Sequence, residues 1–358
     1  MRLTNPFFLG YYLANGLRYT VPPAPRRDKH SVPPVVLGPL FRAGVHGAGP
    51  VPRWVRRPII PNQSQLSYYI YRAMGALMPH IPPRVGYALF GRLGDLSHDR
   101  ATTSRENVYD NLRHVLGPEA DPGHMEQVAR EIFRNQARNY YDLFRVASLS
   151  GQQIERLVTV HGLEHVDEAL APGKGVIAVT AHFGNLDVVA QAFALHKYPI
   201  TVVAEHLKPE RLYQYVVSLR ASKGIKIIPI DSFLRPIFRA LRNNELVGLA
   251  ADRNLTETGT LIDLFGAPAL LPDGHVQLAL RTGAKLAMFF SLRRPDNTYE
   301  AFVEPALELE NTGDLERDTR AGMAQLVAVL EKYIGQHPEQ WVMFQPVWKL
   351  PESQGTGR

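Results

Sequence analysis

The chain has 358 residues, with 40 Lys and Arg against 34 Asp and Glu, and it contains no cysteine. This length is enough for one large domain with an accessory region, or for two domains. The lack of cysteine excludes a disulfide scaffold, a thiolate metal site and a cysteine nucleophile. Any covalent catalysis would therefore need another residue.

The first part of the chain, residues 1–61, is a basic arm rich in proline and glycine. Residues 1–60 carry nine Lys and Arg and a single acid, Asp28, and they hold ten of the 28 prolines. Such a composition does not bury a core easily, and its charge indicates an anionic partner surface. Residues 3–17 are uncharged and aromatic, which is typical of an interfacial anchor or of a disordered leader. Because no apolar run is long enough to cross a bilayer, we expect a peripheral membrane protein.

After the arm, apolar residues recur at helical spacing. The pattern predicts two helices between residues 63 and 97, separated at Pro82-Pro83. Two more helices are expected at about 102–116 and 124–148. Residues 62–150 therefore form a predicted helical lead-in to the rest of a domain that spans residues 62–350.

From Gly173 onward the pattern alternates between apolar strands and amphipathic helices. The predicted strands are GVIAVTA, ITVVAEH, IKIIPI and ELVGLAAD, with a helix after each of the first three. This interval is typical of βαβ units, so we predict an α/β fold with a mostly parallel central sheet covered by helices. The catalytic core is expected over residues 151–350, with further elements at about 273–283 (helix), 285–292 and 299–309 (strands) and 314–336 (helix).

The segment VTAHFGNLD, residues 179–187, follows a predicted buried strand and contains the first candidate site. Five residues on one continuous helix turn by ~500°, which would leave His182 and Asp187 about 140° apart. A turn must therefore separate them, with Gly184 in the turn and Asn185 as the helix N-cap. Asp187 in the first helical turn would then accept a hydrogen bond from the imidazole and orient it as a general base. The alternative is a structural histidine beside an acid that only begins a helix.

The reaction class follows from which groups the sequence contains. With no cysteine and no G-x-S-x-G motif, we infer direct attack by an activated hydroxyl on a donor that already has a good leaving group. A thioester fits this requirement, because its thiol, with a pKa of ~8.5, leaves readily.

The segment from His182 to Asp187 resembles the H-x4-D/E block of membrane-surface acyltransferases, the lysophospholipid and lipid A late acyltransferase superfamily. Its surroundings are similar to the branch that contains lipid A late acyltransferases and phosphatidylinositol mannoside acyltransferases. Further blocks similar to that branch lie at residues 71–96, 105–117, 133–146, 204–230, 249–274 and 337–348. The resemblance covers roughly residues 65–348, and the block LAADR with LTETGTLIDLFG looks closer to the phosphatidylinositol mannoside acyltransferases.

This resemblance implies a peripheral O-acyltransferase on the cytoplasmic face of the plasma membrane. The donor would be acyl-CoA or an acyl-carrier protein, and the acceptor a glycolipid hydroxyl, with a phosphatidylinositol mannoside favoured. We expect no metal or bound cofactor, no nucleic-acid partner, and an anionic membrane surface as the third partner. The alternatives are a lipid A late acyltransferase and a catalytically silent lipid-binding protein.

Beyond His182 and Asp187, several residues are candidates for substrate binding. Charged groups just beyond strands ITVVA and ELVGLAA should lie at the carboxyl edge of the sheet, where α/β proteins bind ligands. Arg220 could hold a donor phosphate or polarise the thioester carbonyl. Phe265-Gly266 and the apolar residues after them could line a binding site for an acyl chain or pack in the core. The complete set of predicted substrate-binding residues is Asn185, Glu205, Lys208, Arg220, Asp252, Arg253 and Glu257.

Overall fold

A computed structural model of the chain describes residues 63–231, 234–254 and 258–348. The basic arm over residues 1–61 and the candidate Glu257 lie outside the described residues. Within them the chain forms eleven α-helices and nine β-strands, which confirms the predicted α/β class. None of the described helices is both long enough and apolar enough to cross a membrane.

The helical lead-in has the form predicted from the sequence. A short 3-10 turn, Met78–His80, and the residues after it separate the first two helices at the predicted proline break. The last and longest helix begins after Asp121, whose side chain accepts a hydrogen bond from the His124 backbone N–H as an N-cap. The four lead-in helices are α1 (Gln63–Leu77), α2 (Pro83–Arg100), α3 (Thr102–Leu116) and α4 (Pro122–Val146).

Strands and helices alternate through the rest of the domain. The helices are α5 (Gly151–Leu157), α6 (Leu163–Leu170), α7 (Leu186–Leu195), α8 (Glu210–Arg220), α9 (Arg235–Arg242), α10 (Gly274–Thr282) and α11 (Leu315–Gln336). The strands are β1 (Val158–His161), β2 (Val176–Thr180), β3 (Ile200–Ala204), β4 (Lys226–Pro229), β5 (Leu246–Ala250), β6 (Thr260–Leu264), β7 (Ala267–Leu271), β8 (Lys285–Arg293) and β9 (Tyr299–Val303).

Seven strands form one sheet in the order β1-β9-β8-β2-β5-β3-β4, and β6 and β7 pair separately. Every pairing in the large sheet is parallel except β8 with β9. The central strands β2 and β5 are almost entirely apolar and begin with two buried residues each, as expected for a sheet covered on both faces. Parallel strands end at a common edge, so the loops after β2, β3 and β5 meet there.

Apart from the unpredicted helices α5 and α6, the structure differs from the sequence prediction at three places. The short strand β1, Val158–His161, was not predicted, and β9 ends at Val303 instead of near residue 309, although Glu304 and Leu307 still donate backbone hydrogen bonds to β8. The third is a hairpin of β6 and β7 around Phe265 (φ 50°) and Gly266 (φ 73°), a pair of left-handed residues suited to a tight hairpin turn. Leu264, Ala269 and Leu271 of the hairpin pack in the core. These contacts favour core packing over the alternative that the segment lines a site for an acyl chain.

Helix α10 carries a buried histidine that should make stability depend on pH. His275 is 4% exposed and its Nε2 atom has no hydrogen-bond partner in the described structure. Burial lowers its pKa from 6.5 to about 4, although Asp273 opposes the shift. The unfolded chain therefore binds this proton between those two pH values, while the folded chain does not. The free energy of unfolding is therefore not reduced by His275 above pH ~6.5, and it falls as the pH decreases toward ~4.

We expect the free energy of unfolding to fall by about 2 kcal/mol between pH 7.5 and pH 5 because of His275 alone. Urea unfolding of the wild type and of a His275→Gln variant at both pH values measures this contribution. The wild type should lose more stability than the variant. Equal losses would show that His275 does not titrate in this range.

Candidate active site

The turn between β2 and α7 has the local path that the sequence predicts. Strand β2 ends at Thr180, and α7 begins at Leu186 after Asn185, whose side chain accepts from the Val188 N–H at 3.2 Å. Gly184 has φ +61°, and a Cβ at this position would lie 1.6 Å from the Ser291 carbonyl oxygen. Glycine is therefore required here, and the predicted N-cap role of Asn185 is confirmed.

The carboxylate that contacts the His182 ring is Asp252. The distance from His182 Nδ1 to Asp252 Oδ1 is 2.8 Å, and the backbone N–H of His182 donates to Asp252 Oδ2 at 2.7 Å. The sheet register explains this pairing, because Thr180 of β2 is the partner of Ala250 of β5. His182 and Asp252 each lie two residues beyond those partners, so they leave the sheet side by side.

Asp252 is ionised and buried, and it fixes the tautomer of His182. Its exposed fraction is 2%, and its Oδ2 atom also accepts from Trp341 Nε1 at 2.8 Å. Burial by itself would raise the pKa of Asp252, but the charge of His182 and the three donated hydrogen bonds outweigh burial and lower it. An ionised carboxylate can only accept, so in the neutral imidazole of His182 the proton is on Nδ1 and Nε2 is left as an acceptor.

The predicted pairing of His182 with Asp187 is not what the structure shows. Asp187 instead accepts two hydrogen bonds from Arg220 of α8, from Nε to Oδ1 at 2.6 Å and from an Nη atom to Oδ2 at 3.2 Å. The first turn of α7 directs the Asp187 carboxylate at the carboxyl end of α8, and a guanidinium fits a carboxylate in this bidentate way. The sequence-based expectation that Asp187 directly orients His182 is corrected accordingly.

The other predicted charged residues fall into three groups. Arg253 follows Asp252 and donates to Glu205 Oε2 at 2.7 Å and to Gln345 Oε1 at 2.8 Å, which joins the ends of β5 and β3. Lys208 is exposed and is absent from the described lining of the cavity. Glu257 lies outside the described residues. Substrate contacts by these residues and by Asn185 stay predictions.

The C-terminal segment after α11 holds the turn that carries His182. The Val342 N–H donates to the His182 carbonyl at 2.8 Å, the Gly184 N–H donates to the Gln340 carbonyl at 2.8 Å, and Phe183 forms an antiparallel bridge with Trp341. Sequence reasoning assigned no site role to Trp341 or Gln345. The sequence signal that could have identified these two residues was the resemblance of residues 337–348 to a family block. That resemblance gave no chemical role to either of them.

A buried polar cluster supports the same turn from the side of α4. Asp142 accepts from Tyr87 at 2.6 Å, from Arg293 at 2.7 Å and from Asn185 Nδ2 at 3.2 Å. Asn139, one turn earlier on α4, donates to the Gly184 carbonyl and accepts from Arg293. The side chains of Asp142 and Arg293 are each only 3% exposed, so their charges are compensated within the protein. Helix α4 therefore helps to fix the position of His182.

A cavity of about 440 Å³ opens at this edge of the sheet. His182, Asp187, Arg220, Glu205 and Arg253 line its polar end. From there the cavity continues between the sheet and helices α7 and α8, where its lining is almost entirely apolar. The apolar lining includes Ala178, Val189, Phe193, Ile200, Val202, Leu212, Val216, Ile225, Ile227, Leu246, Gly248 and Phe289.

This arrangement combines a general base with a long apolar compartment. The imidazole of His182 is 38% exposed, and its Nε2 acceptor can take a proton from a hydroxyl in the cavity mouth. The Asp187–Arg220 pair brings a cation to the same mouth, and only two of the five guanidinium N–H donors are used by Asp187. Among the described residues, no group of His, Asp and Glu is arranged to hold a metal ion.

The family model described as "Bacterial lipid A biosynthesis acyltransferase" matches residues 60–350. The chain belongs to this family. It is therefore an acyltransferase of lipid biosynthesis, and the corresponding prediction from the sequence is confirmed. The members of the family to which it is similar include proteins of two branches.

In the first branch, a phosphatidylinositol mannoside acyltransferase of Mycobacterium tuberculosis is 35% identical over 254 residues, which cover 68% of this chain and 77% of that protein. The protein of the same name from Mycolicibacterium smegmatis is 29% identical over 81% of this chain and 93% of its own length. In the second branch, a lipid A biosynthesis acyltransferase of Haemophilus influenzae is 24% identical over 74% of this chain and 82% of its own. The resemblance to the phosphatidylinositol mannoside branch is thus confirmed.

Proposed function

We propose that this acyltransferase transfers a fatty acyl chain from an acyl thioester to a hydroxyl of a mannosylated phosphatidylinositol. The observation that carries the proposal is the position of His182, which is held by Asp252 at the mouth of a deep apolar cavity. A base at the mouth suits a polar acceptor that approaches from outside. An apolar compartment beneath it suits an acyl chain.

In the proposed reaction, Nε2 of His182 removes the proton of the acceptor hydroxyl while the hydroxyl oxygen attacks the thioester carbonyl carbon. The tetrahedral intermediate then collapses with cleavage of the C–S bond. The proton held by His182 passes to the departing sulfur, which leaves as a thiol. Asp252, ionised and buried, stabilises the imidazolium that exists between these two proton transfers.

Arg220 is the proposed electrostatic partner of the donor. Burial by itself would lower the pKa of the Arg220 guanidinium, but Asp187 outweighs burial and raises it, so the side chain is positively charged. Its remaining N–H donors can meet either the developing negative charge on the thioester oxygen or a phosphate of the donor. Asp187 then acts through Arg220, as a residue that positions the guanidinium.

The acceptor and the location of the reaction are proposed from several independent features. The two mycobacterial relatives carry the name phosphatidylinositol mannoside acyltransferase, which favours that acceptor over lipid A. Helices α1 and α2 expose Leu66, Tyr69, Leu77, Val85 and Leu89. Together with the basic arm, these side chains suit peripheral contact with an anionic membrane, at ~1 kcal/mol for each cation near the surface. We propose that the enzyme works on the cytoplasmic face of the plasma membrane.

Thiol release from palmitoyl thioesters, measured with purified protein and with each candidate acceptor, tests the proposal. We expect release from a CoA or carrier-protein donor to depend on a phosphatidylinositol mannoside, and the acylated lipid to appear by mass spectrometry. Faster turnover with a lipid A precursor would instead show that the enzyme acts as a lipid A acyltransferase. Tight liposome binding without thiol release from any donor would instead support a silent lipid-binding protein and overturn the proposal.

A further inference from the structure

Gly248 occupies an unusual position for a glycine, in the middle of the central strand β5. Among the nine strands that the structure describes, no other contains a glycine. Glycine in a strand interior destabilises the fold relative to alanine, because it loses more conformational freedom on folding. A central strand therefore retains glycine only where its missing side chain has a use.

The backbone itself does not require glycine at this position. The φ angle of Gly248 lies outside the left-handed region, and the three atoms nearest to a Cβ there would all belong to Val202, with its Cγ2 atom at 3.3 Å. Gly184 differs, because its φ is positive and a Cβ would collide with a backbone oxygen. The remaining reason for glycine at position 248 is the space that it leaves in front of the sheet.

That space is part of the cavity. The sheet register places Ala178, Gly248 and Val202 in one row across β2, β5 and β3. All three line the cavity, and the missing side chain of Gly248 leaves space between Ala178 and Val202. Gly248 lies about 7 Å below Ala250 at the mouth, since each strand residue advances ~3.3 Å.

Larger side chains line the cavity one row further from its mouth. Leu246 of β5 and Ile200 of β3 are paired in the next row on the same face, and both are buried. They line the cavity together with Ile225, about 13 Å below Ala250. Gly248 thus stands halfway between the mouth and the row of Leu246 and Ile200, where a bulky side chain would obstruct the way to that row.

We propose that Gly248 sets the depth of this cavity and thereby selects a long acyl chain on the thioester donor. The inference rests on the proposed function, in which the cavity holds the acyl chain of the donor. It adds a residue that determines specificity, and it names the donor class as long-chain acyl thioesters. The chain would pass over Gly248 and end against Leu246 and Ile200.

The test is the ratio of kcat/KM for palmitoyl and lauroyl thioesters with the acceptor found active above. In Gly248→Leu, we expect this ratio to fall by at least about tenfold, because the way to the row of Leu246 and Ile200 is obstructed. Gly248→Ala should fall between wild type and Gly248→Leu. Leu246→Ala should favour longer chains, so the ratio of kcat/KM for stearoyl and palmitoyl thioesters should rise.

Gly274→Leu is the matched control. Gly274 is exposed on α10, and a Cβ there would meet nothing within 4 Å, so the same isobutyl group is added away from the cavity. The ratio of kcat/KM for palmitoyl and lauroyl thioesters in Gly274→Leu should equal that of the wild type. Circular dichroism checks that each variant is folded, and if Gly248→Leu does not fold, the two alanine variants decide the question.

Unchanged ratios in Gly248→Ala and Leu246→Ala would overturn the inference while leaving the proposed function intact. A changed KM for the lipid acceptor with an unchanged donor ratio would also overturn it, because the cavity would then hold a chain of the acceptor. Wild-type protein that transfers no acyl chain from any donor would overturn the proposed function, and this inference with it.

Discussion

Replacing His182 by alanine should lower kcat for acyl transfer by about 10²- to 10⁴-fold, the usual contribution of a general base. The substitution removes the Nε2 acceptor at the cavity mouth, and no other described histidine lines the cavity to replace it. Binding of the thioester donor should change little, since the apolar compartment is intact. Stopped assays of thiol release, together with donor binding by isothermal calorimetry, separate these two effects.

His161→Ala is a suitable control for the His182 variant. His161 lies at the end of β1, an edge strand of the sheet, where its ring stacks on Phe302 outside the cavity. Its replacement should leave kcat within about twofold, as expected for a residue remote from the reacting groups. Full acyl transfer by His182→Ala would exclude the base mechanism.

The second large effect is expected from Asp252→Asn, which should lower kcat by about 10²- to 10⁴-fold. Oδ2 of Asp252 accepts two N–H groups, from the His182 backbone and from Trp341. The carbonyl oxygen of an asparagine would stay there, so its NH₂ group would face Nδ1 of His182. Nδ1 would then have to accept, and the proton would move to Nε2, which is the wrong tautomer for a base.

The companion variant Asp187→Asn separates the two carboxylates. It leaves the contact between His182 and Asp252 unchanged and weakens the hold on Arg220. We expect its main effect on KM for the donor, with a smaller loss in kcat than Asp252→Asn. The reverse order, with kcat lost in Asp187→Asn and kept in Asp252→Asn, would mean that Asp187 contacts His182 during turnover. Kinetics of both variants across pH 6–9 would show which carboxylate the base depends on.

Much of this fold could be predicted from local patterns. The break at Pro82-Pro83, the strands β2 to β5 and the long helix α11 all follow from apolar periodicity and from proline positions. The path of the turn at Gly184 and Asn185 followed from the requirements of a tight turn and a helix N-cap. Strand β1 escaped prediction because it has only four residues, VTVH, too few for their alternation to stand out from the surrounding sequence.

The partner of His182 could not be predicted in the same way. Asp187 is its neighbour in sequence, but Asp252 is its neighbour in the sheet, 70 residues away. That neighbour depends on strand order, which places β5 beside β2 although β3 and β4 come between them in the chain. The sequence did place both His182 and Asp252 at the ends of strands. Only the register between the strands could reveal that they meet.

The buried cluster around Asp142 has a consequence for where the catalytic unit begins. Asn139 and Asp142 belong to the helical lead-in, yet they bond to Gly184 and Asn185 next to the base. A fragment that started at residue 151 would keep every strand of the sheet and still lose these bonds. It would also leave Arg293 buried without its carboxylate. Helix α4 therefore has to be counted as part of the smallest unit able to hold His182 in place.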